Sequence, residues 1–129
     1  MTQSAAPVLL VDDHEDTRRL LVELLSLDGF EVVAARDGQD ALARLAGDVT
    51  PCLVLLDLGL PDVSGVELCR QLRSRPDLAE IPIYAMSGFY HLRAQAFDAG
   101  CDGYLLKPVR PSELRTLLAE HCAFRRDVA

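Results

Sequence analysis

Residues 52–61 read Cys-Leu-Val-Leu-Leu-Asp-Leu-Gly-Leu-Pro, the most apolar run in the chain, and the run stops on an acid, Asp57. Continuous apolar residues with no polar alternation predict a strand buried on both faces. Pro61-Asp62 then makes a turn. Ser64-Gly65-Val66-Glu67 follows as a capping-box pattern, opening a helix that reaches about Arg73. A buried strand, an acid at its end and a capped helix form the unit that decides the fold.

The same unit repeats in both directions. Upstream, residues 7–11 are a compact apolar run ending on Asp12-Asp13. Residues 15–27 place Leu20, Leu21, Leu24 and Leu25 on one helical stripe, and Asp28-Gly29 stops that helix. Residues 30–35 predict a second strand. Asp37 then caps a helix buried through Ala41, Leu42 and Leu45. Downstream, residues 81–86 predict a fourth strand, ending on Ser87-Gly88. A helix over 91–99 stops at Gly100, and residues 103–106 predict a short fifth strand ending on Lys107-Pro108. Pro111 suits the first turn of a last helix carried by Leu114, Leu117 and Leu118.

Five strands and five helices in strict alternation predict an α/β fold: a doubly wound parallel sheet with helices on both faces. A chain of 129 residues fits one domain, taken as residues 7–122 between a flexible N-terminus (1–6) and a C-terminal tail (123–129). The formal net charge of -7 disfavours nucleic acid and anionic lipid as partners. No run approaches the ~18 apolar residues of a membrane span, and the first residues do not form a signal peptide. A cytoplasmic protein is therefore expected. Cys52, Cys69, Cys101 and Cys122 are scattered, without a Cys-x-x-Cys. They are expected to be small apolar residues in a reducing compartment rather than disulfides or metal ligands.

In open α/β sheets the chemistry sits beyond the C-terminal ends of the strands. Four of the predicted strands end on a reactive group: Asp12-Asp13, Asp57, Ser87 and Lys107. Of the 13 Lys and Arg residues only Lys107 is a lysine, which marks it further. Three carboxylates ~5 Å apart repel by about 3 kcal/mol per pair at an effective dielectric near 20, so they require a cation. Lys107 is one candidate. A hard divalent metal is the other, and an all-oxygen set that keeps waters fits Mg²⁺. A metal and an ammonium beside one carboxylate prepare it for phosphoryl transfer, with Asp57 as nucleophile. Ser87 and the backbone N–H groups of Leu58 and Gly88 are candidate donors to the phosphoryl oxygens.

Taken together, Leu-Val-Asp-Asp (10–13), Leu-Leu-Asp-Leu-Gly-Leu-Pro (55–61), Ser-Gly (87–88) and Gly-Tyr-Leu-Leu-Lys-Pro (103–108) resemble the receiver domain of bacterial two-component response regulators. The resemblance covers about residues 8–118. It implies a flavodoxin-like five-stranded sheet of order 2-1-3-4-5 flanked by five helices. It implies Asp57 as phospho-acceptor, with Asp13, Asp57 and the backbone carbonyl of Gly59 as direct Mg²⁺ ligands and Asp12 acting mostly through water. Lys107 would pair with the phosphoryl group, and the bond before Pro108 is often cis in such domains. Ser87 would be the switch hydroxyl and Tyr104 the aromatic that turns inward as the hydroxyl moves. Gly59 would leave one flank of the acceptor open and Phe89 would cover the other. His14 is expected at a helix start as a surface or partner-contact residue. The donor would be a phosphohistidine on a sensor histidine kinase or phosphotransfer protein, and a downstream protein target would read the face formed by the fourth helix, fifth strand and fifth helix. Such a chain promotes only its own phosphorylation and dephosphorylation and is not an enzyme in the usual sense.

Other readings compete. The Asp57-Leu58-Gly59-Leu60-Pro61 pattern also resembles receivers carried by hybrid histidine kinases. A metal-dependent phosphatase forming an aspartyl phosphate usually has a second acid two residues after its nucleophile, where this chain has Gly59. A flavin module needs a phosphate loop after the first strand, where Asp12-Asp13 repel phosphate. A degenerate, binding-only receiver would not keep the full set of acids, hydroxyl and lysine.

Overall fold

The computed structural model describes residues 6–47 and 49–122, so the predicted tail (123–129) and all but Ala6 of the predicted N-terminal segment lie outside the described residues. Strands β1 (Val8–Val11), β2 (Val32–Ala35), β3 (Leu53–Asp57), β4 (Ile83–Ser87) and β5 (Gly103–Leu106) form one parallel sheet in the order β2-β1-β3-β4-β5. Helices α1 (Glu15–Leu27), α2 (Gly38–Ala46), α3 (Gly65–Arg73), α4 (Arg93–Asp98) and α5 (Pro111–His121) alternate with the strands. This is the doubly wound architecture that the alternation predicts, in the flavodoxin-like strand order that the resemblance implies.

The side-chain period of a strand divides the core into two layers. Leu9, Val11, Val54 and Leu56 face α2, α3 and α4, meeting Ala41, Leu45, Leu68, Leu72 and Ala96. Val8, Leu10, Leu53 and Leu55 face α1 and α5, meeting Leu21, Leu25, Leu114 and Leu118. β3 is the most apolar strand because it is central and covered on both sides. Register aligns the strand ends: Val11 lies beside Leu56, Asp57 beside Met86 and Ser87 beside Leu106. Every polar residue that terminates these strands therefore emerges at one edge.

Helix starts are built locally. The Asp37 carboxylate accepts the Asp40 N–H at 2.7 Å, and Ser64 Oγ accepts the Glu67 N–H at 3.1 Å. Only half of the capping box forms, because Glu67 turns to Arg70 at 3.5 Å. Three details depart from the sequence expectation. Leu20 is 54% exposed, since the arc through Leu21 and Leu25 already fills the contact with the sheet. The fourth helix is shorter than expected: residues 90–92 form a 3-10 turn without a side-chain cap, and α4 follows it. A further 3-10 turn, Pro76–Leu78, follows α3.

The cysteine expectation is overturned for one pair. Cys52 and Cys122 are joined in a disulfide, with Cα atoms 5.5 Å apart across a separation of 70 residues. α5 runs back against the strands, so its end returns to the edge where β3 begins. No local spacing signals that meeting. Cys69 and Cys101 remain thiols, buried in the other layer with their sulfurs 3.4 Å apart. The hydrogen bond from Cys101 draws the Cys69 thiol below its usual range, and the same contact with burial pushes Cys101 up. Among the described residues no helix is long and apolar enough to cross a membrane.

Candidate functional site

β1 delivers Asp12 into full burial. Its Oδ1 accepts the His14 N–H at 2.9 Å, and its carbonyl accepts from the Arg18 guanidinium at 2.9 Å. Its Oδ2 has no hydrogen-bond partner; the Lys107 ammonium stands 3.5 Å away, within ion-pair range. Burial pushes this carboxyl above the usual range, and the Asp57 charge adds to that; the His14 N–H and Lys107 oppose it. His14 itself is the N-cap of α1, its ring Nδ1 accepting the Thr17 N–H at 3.3 Å, as its place at a helix start leads one to expect.

Asp57 closes β3 and is also buried. Oδ1 accepts the Gly59 N–H at 3.1 Å, and Oδ2 faces Lys107 Nζ at 3.2 Å. Asp13 is exposed beside the pair. One oxygen from each of Asp12, Asp13 and Asp57 lies within 4.8 Å of the others. These residues fit a hard divalent cation: the donors are all carboxylate oxygens, and Asp12 Oδ2 is a buried oxygen without a hydrogen-bond partner. Mg²⁺ is the ion such a set suits, with water completing its coordination.

Lys107 leaves the end of β5 between Asp12 and Asp57. Its backbone N–H donates to the Ser87 carbonyl at 2.9 Å, and the Lys107–Pro108 bond is cis. Ser87 ends β4, buried, and its Oγ accepts the Phe89 N–H at 3.0 Å. Tyr104 is half-buried and its hydroxyl donates to the Phe89 carbonyl. One backbone unit, Phe89, is thus clasped by both the hydroxyl and the aromatic singled out from sequence. Gly88 between them has open space where a side chain would be.

Two expected roles meet a different geometry. The Leu58 N–H continues the sheet, donating to the Met86 carbonyl at 3.0 Å, so it is committed to the fold rather than to a ligand. The Phe89 ring is 62% exposed and lies 5.6 Å from the His91 ring, standing in solvent. Gly59 does leave a flank open: a Cβ there would meet only Asp57 Oδ1, at 3.8 Å.

Sequence reading missed Gly65 and under-read Asp62. Gly65 begins α3 against the acceptor's own backbone, and a Cβ would stand 2.6 Å from both the Asp57 carbonyl oxygen and Leu58 Cα. Its only signal was a glycine just inside a capped helix. Gly65→Ala is expected to cost about 1–3 kcal/mol, the usual penalty of overpacking; an unchanged urea midpoint would show that α3 shifts freely. Asp62, read as a turn residue, reaches across to α2. Beside the site, a cavity of about 450 Å³ is lined by Thr17, Leu20, Leu21, Pro108 and Val109 and opens onto Asp12 and Lys107.

Comparison with known proteins agrees with this fold. The family described as "Response regulator receiver domain" matches residues 8–119. The chain is 40% identical over 107 residues to "Response regulator MprA" of Mycolicibacterium vanbaalenii, covering 83% of this chain and 46% of that protein. It spans less than half the length of such curated relatives. Among solved structures, chemotaxis protein CheY4 of Vibrio cholerae superposes with a TM-score of 0.82 at 28% identity, covering 90% of this chain and 98% of that one. Response regulator TrrA of Thermotoga maritima, in complex with Mg²⁺-BeF, gives a TM-score of 0.77 at 29% identity, covering 88% and 96%.

Proposed function

The chain belongs to the response regulator receiver family of two-component systems, and from that premise we propose that Asp57 accepts a phosphoryl group from a phosphohistidine, with Mg²⁺ bound beside it. The observation that carries this reading is the placement of Asp57 between an orphaned buried carboxylate oxygen and the chain's single lysine, 3.2 Å away. An Asp57 carboxylate oxygen forms a bond to phosphorus as the bond from phosphorus to the donor's imidazole nitrogen breaks. The Lys107 ammonium balances charge on the transferred group. Asp13, Asp57 and the Gly59 carbonyl would hold Mg²⁺, with Asp12 acting mostly through water, and the bound ion would add positive charge beside the transferred group. The similar structure from Thermotoga maritima, in complex with Mg²⁺-BeF, supports the choice of ion.

The transferred group brings roughly -1.5 to -2 charge and three acceptor oxygens. To reach it, the Ser87 hydroxyl gives up the Phe89 N–H, and the loop at Gly88 has room to follow. Tyr104 is held to the same residue through the Phe89 carbonyl, so it is freed by the same movement. The face of α4, β5 and α5 is the output, and its population shifts when this clasp opens. The donor is a sensor histidine kinase or phosphotransfer protein, docking over the cavity that exposes Leu20 beside Lys107. A protein target reads the output face, with no direct part for nucleic acid or membrane. The chain turns over no separate substrate.

Mass spectrometry after incubation with acetyl phosphate and Mg²⁺ tests this: one phosphoryl group is expected, on the peptide holding Asp57. No mass gain, or a gain on another residue, rejects the reading. The Phe89 ring stands in solvent here, so Phe89→Ala is expected to change the lifetime of that group, by about tenfold or about 1.4 kcal/mol, only where the ring turns over the acceptor as the clasp opens. Equal decay in variant and parent removes Phe89 from any role in water access.

A further inference from the structure

We infer that Asp62 is a positioning residue for the acceptor loop: by bridging the β3–α3 loop to the start of α2, it fixes where Gly59 stands beside Asp57. This rests on the Mg²⁺-dependent receiver reading above. A helix start leaves four backbone N–H groups without partners. The local cap of α2, Asp37, takes only the Asp40 N–H. Asp62, 24 residues along the chain from Gly38, takes two more: Oδ1 accepts the Gly38 N–H at 3.0 Å and Oδ2 the Gln39 N–H at 2.9 Å. Oδ1 also accepts the Val63 N–H at 2.8 Å. These donors hold the Asp62 carboxyl below its usual range, Gln39 contributing most.

The approach is close enough to restrict sequence on both sides. A Cβ on Gly38 would stand 2.3 Å from Val63 Cγ1, so Val63 has to turn away before a side chain is accepted there. The rest of the loop is pinned as well. Gly59 N–H is bound to Asp57 Oδ1, and Gly65 N–H donates to the Leu58 carbonyl at 3.2 Å. Between those two fixed points Leu60 is buried in the core and Val63 packs against it, and the Asp62 bridge is the anchor that ties the loop to α2 by hydrogen bonds. α2 already has a cap of its own, so a second carboxylate brought in from the acceptor loop does more for the loop than for the helix. Its consequence falls on Gly59, whose carbonyl the proposed metal site needs at a set position.

The test is calorimetric titration of the full chain with Mg²⁺, for parent, Asp62→Ala and Asp62→Asn, alongside amide hydrogen exchange. Asp62→Ala is expected to weaken Mg²⁺ binding by about tenfold, at the lower end of the loss when support behind metal ligands is removed. Exchange at Gly59 is expected to quicken along with Gly38 and Gln39. Phosphoryl uptake falls at low Mg²⁺ and returns to the parent rate at saturating Mg²⁺. Asn keeps an acceptor oxygen suited to a helix start, so Asp62→Asn is expected to fall between the two and gives the answer should the alanine variant fold poorly. Parental Mg²⁺ affinity in a variant whose Gly38 and Gln39 amides exchange faster reduces Asp62 to a helix cap and overturns the inference. A parent that binds no Mg²⁺ rejects the metal reading itself, a different result from equal binding by parent and variant.

Discussion

Asp57→Asn takes up no phosphoryl group from acetyl phosphate and Mg²⁺, on the reading reached above. The amide has the shape of the acid and keeps an oxygen for the Gly59 N–H, so the packing at the end of β3 survives. It lacks the anionic oxygen that attacks phosphorus. Removing one charge also relieves repulsion among Asp12, Asp13 and Asp57, whose oxygens come within 4.8 Å of one another; at about 5 Å that repulsion is about 3 kcal/mol per pair for an effective dielectric near 20. The loss of the Lys107 pair offsets part of this gain. The thermal midpoint is therefore expected to hold or rise while uptake vanishes. Uptake at the parent rate would falsify the acceptor assignment, whereas a fall in the midpoint would mean the acid is chiefly structural.

Lys107→Ala separates transfer from response. The ammonium lies 3.2 Å from Asp57 and 3.5 Å from Asp12, and its side chain is 31% exposed. Breaking a fully buried ion pair costs about 3–5 kcal/mol, and solvent access to Lys107 reduces that to about 1–3 kcal/mol here. Asp57 remains, so slow uptake is expected with Mg²⁺. The Lys107 link from phosphoryl group to β5 is gone and the Ser87 route is left, so amide shifts at Phe89 and Tyr104 are expected to move only part of the way to the parent's phosphorylated values. Arginine is not expected to restore the rest, because a planar fork does not replace a compact point charge. A phosphorylated Lys107→Ala protein showing the parent's shifts would remove Lys107 from the switch.

Much of this was readable before any coordinates. The apolar runs at 8–11 and 53–56 are buried on both faces and could belong only to inner strands. Periodicity located α1, and Asp37 and Ser64 marked helix starts that the structure reproduces. The convergence of Asp12, Asp13, Asp57, Ser87 and Lys107 followed from their common place at strand ends. What escaped were contacts between distant segments. Asp62 gave every local sign of a turn residue, and its second role depends on α2 arriving beside it. Gly65 differs from any other first-turn glycine only through the backbone pressed against it. Leu20 belonged to an apolar stripe wider than the surface available to cover it. The Cys52–Cys122 bond joins two positions with no periodic relation.

That bond also governs how α5 can travel. It fastens the final turn of the helix to the root of the central strand, at the sheet edge opposite the acids. A helix of 11 residues, about 16 Å long, fastened at that tip and seated on the sheet through Leu114 and Leu118 cannot slide along its axis; the movement left to it is a swing. A tilt of roughly 10° then leaves Cys122 in place and carries Pro111 about 3 Å, next to the stretch holding Lys107. α5 becomes a lever whose fulcrum is far from the chemistry and whose long arm ends beside it.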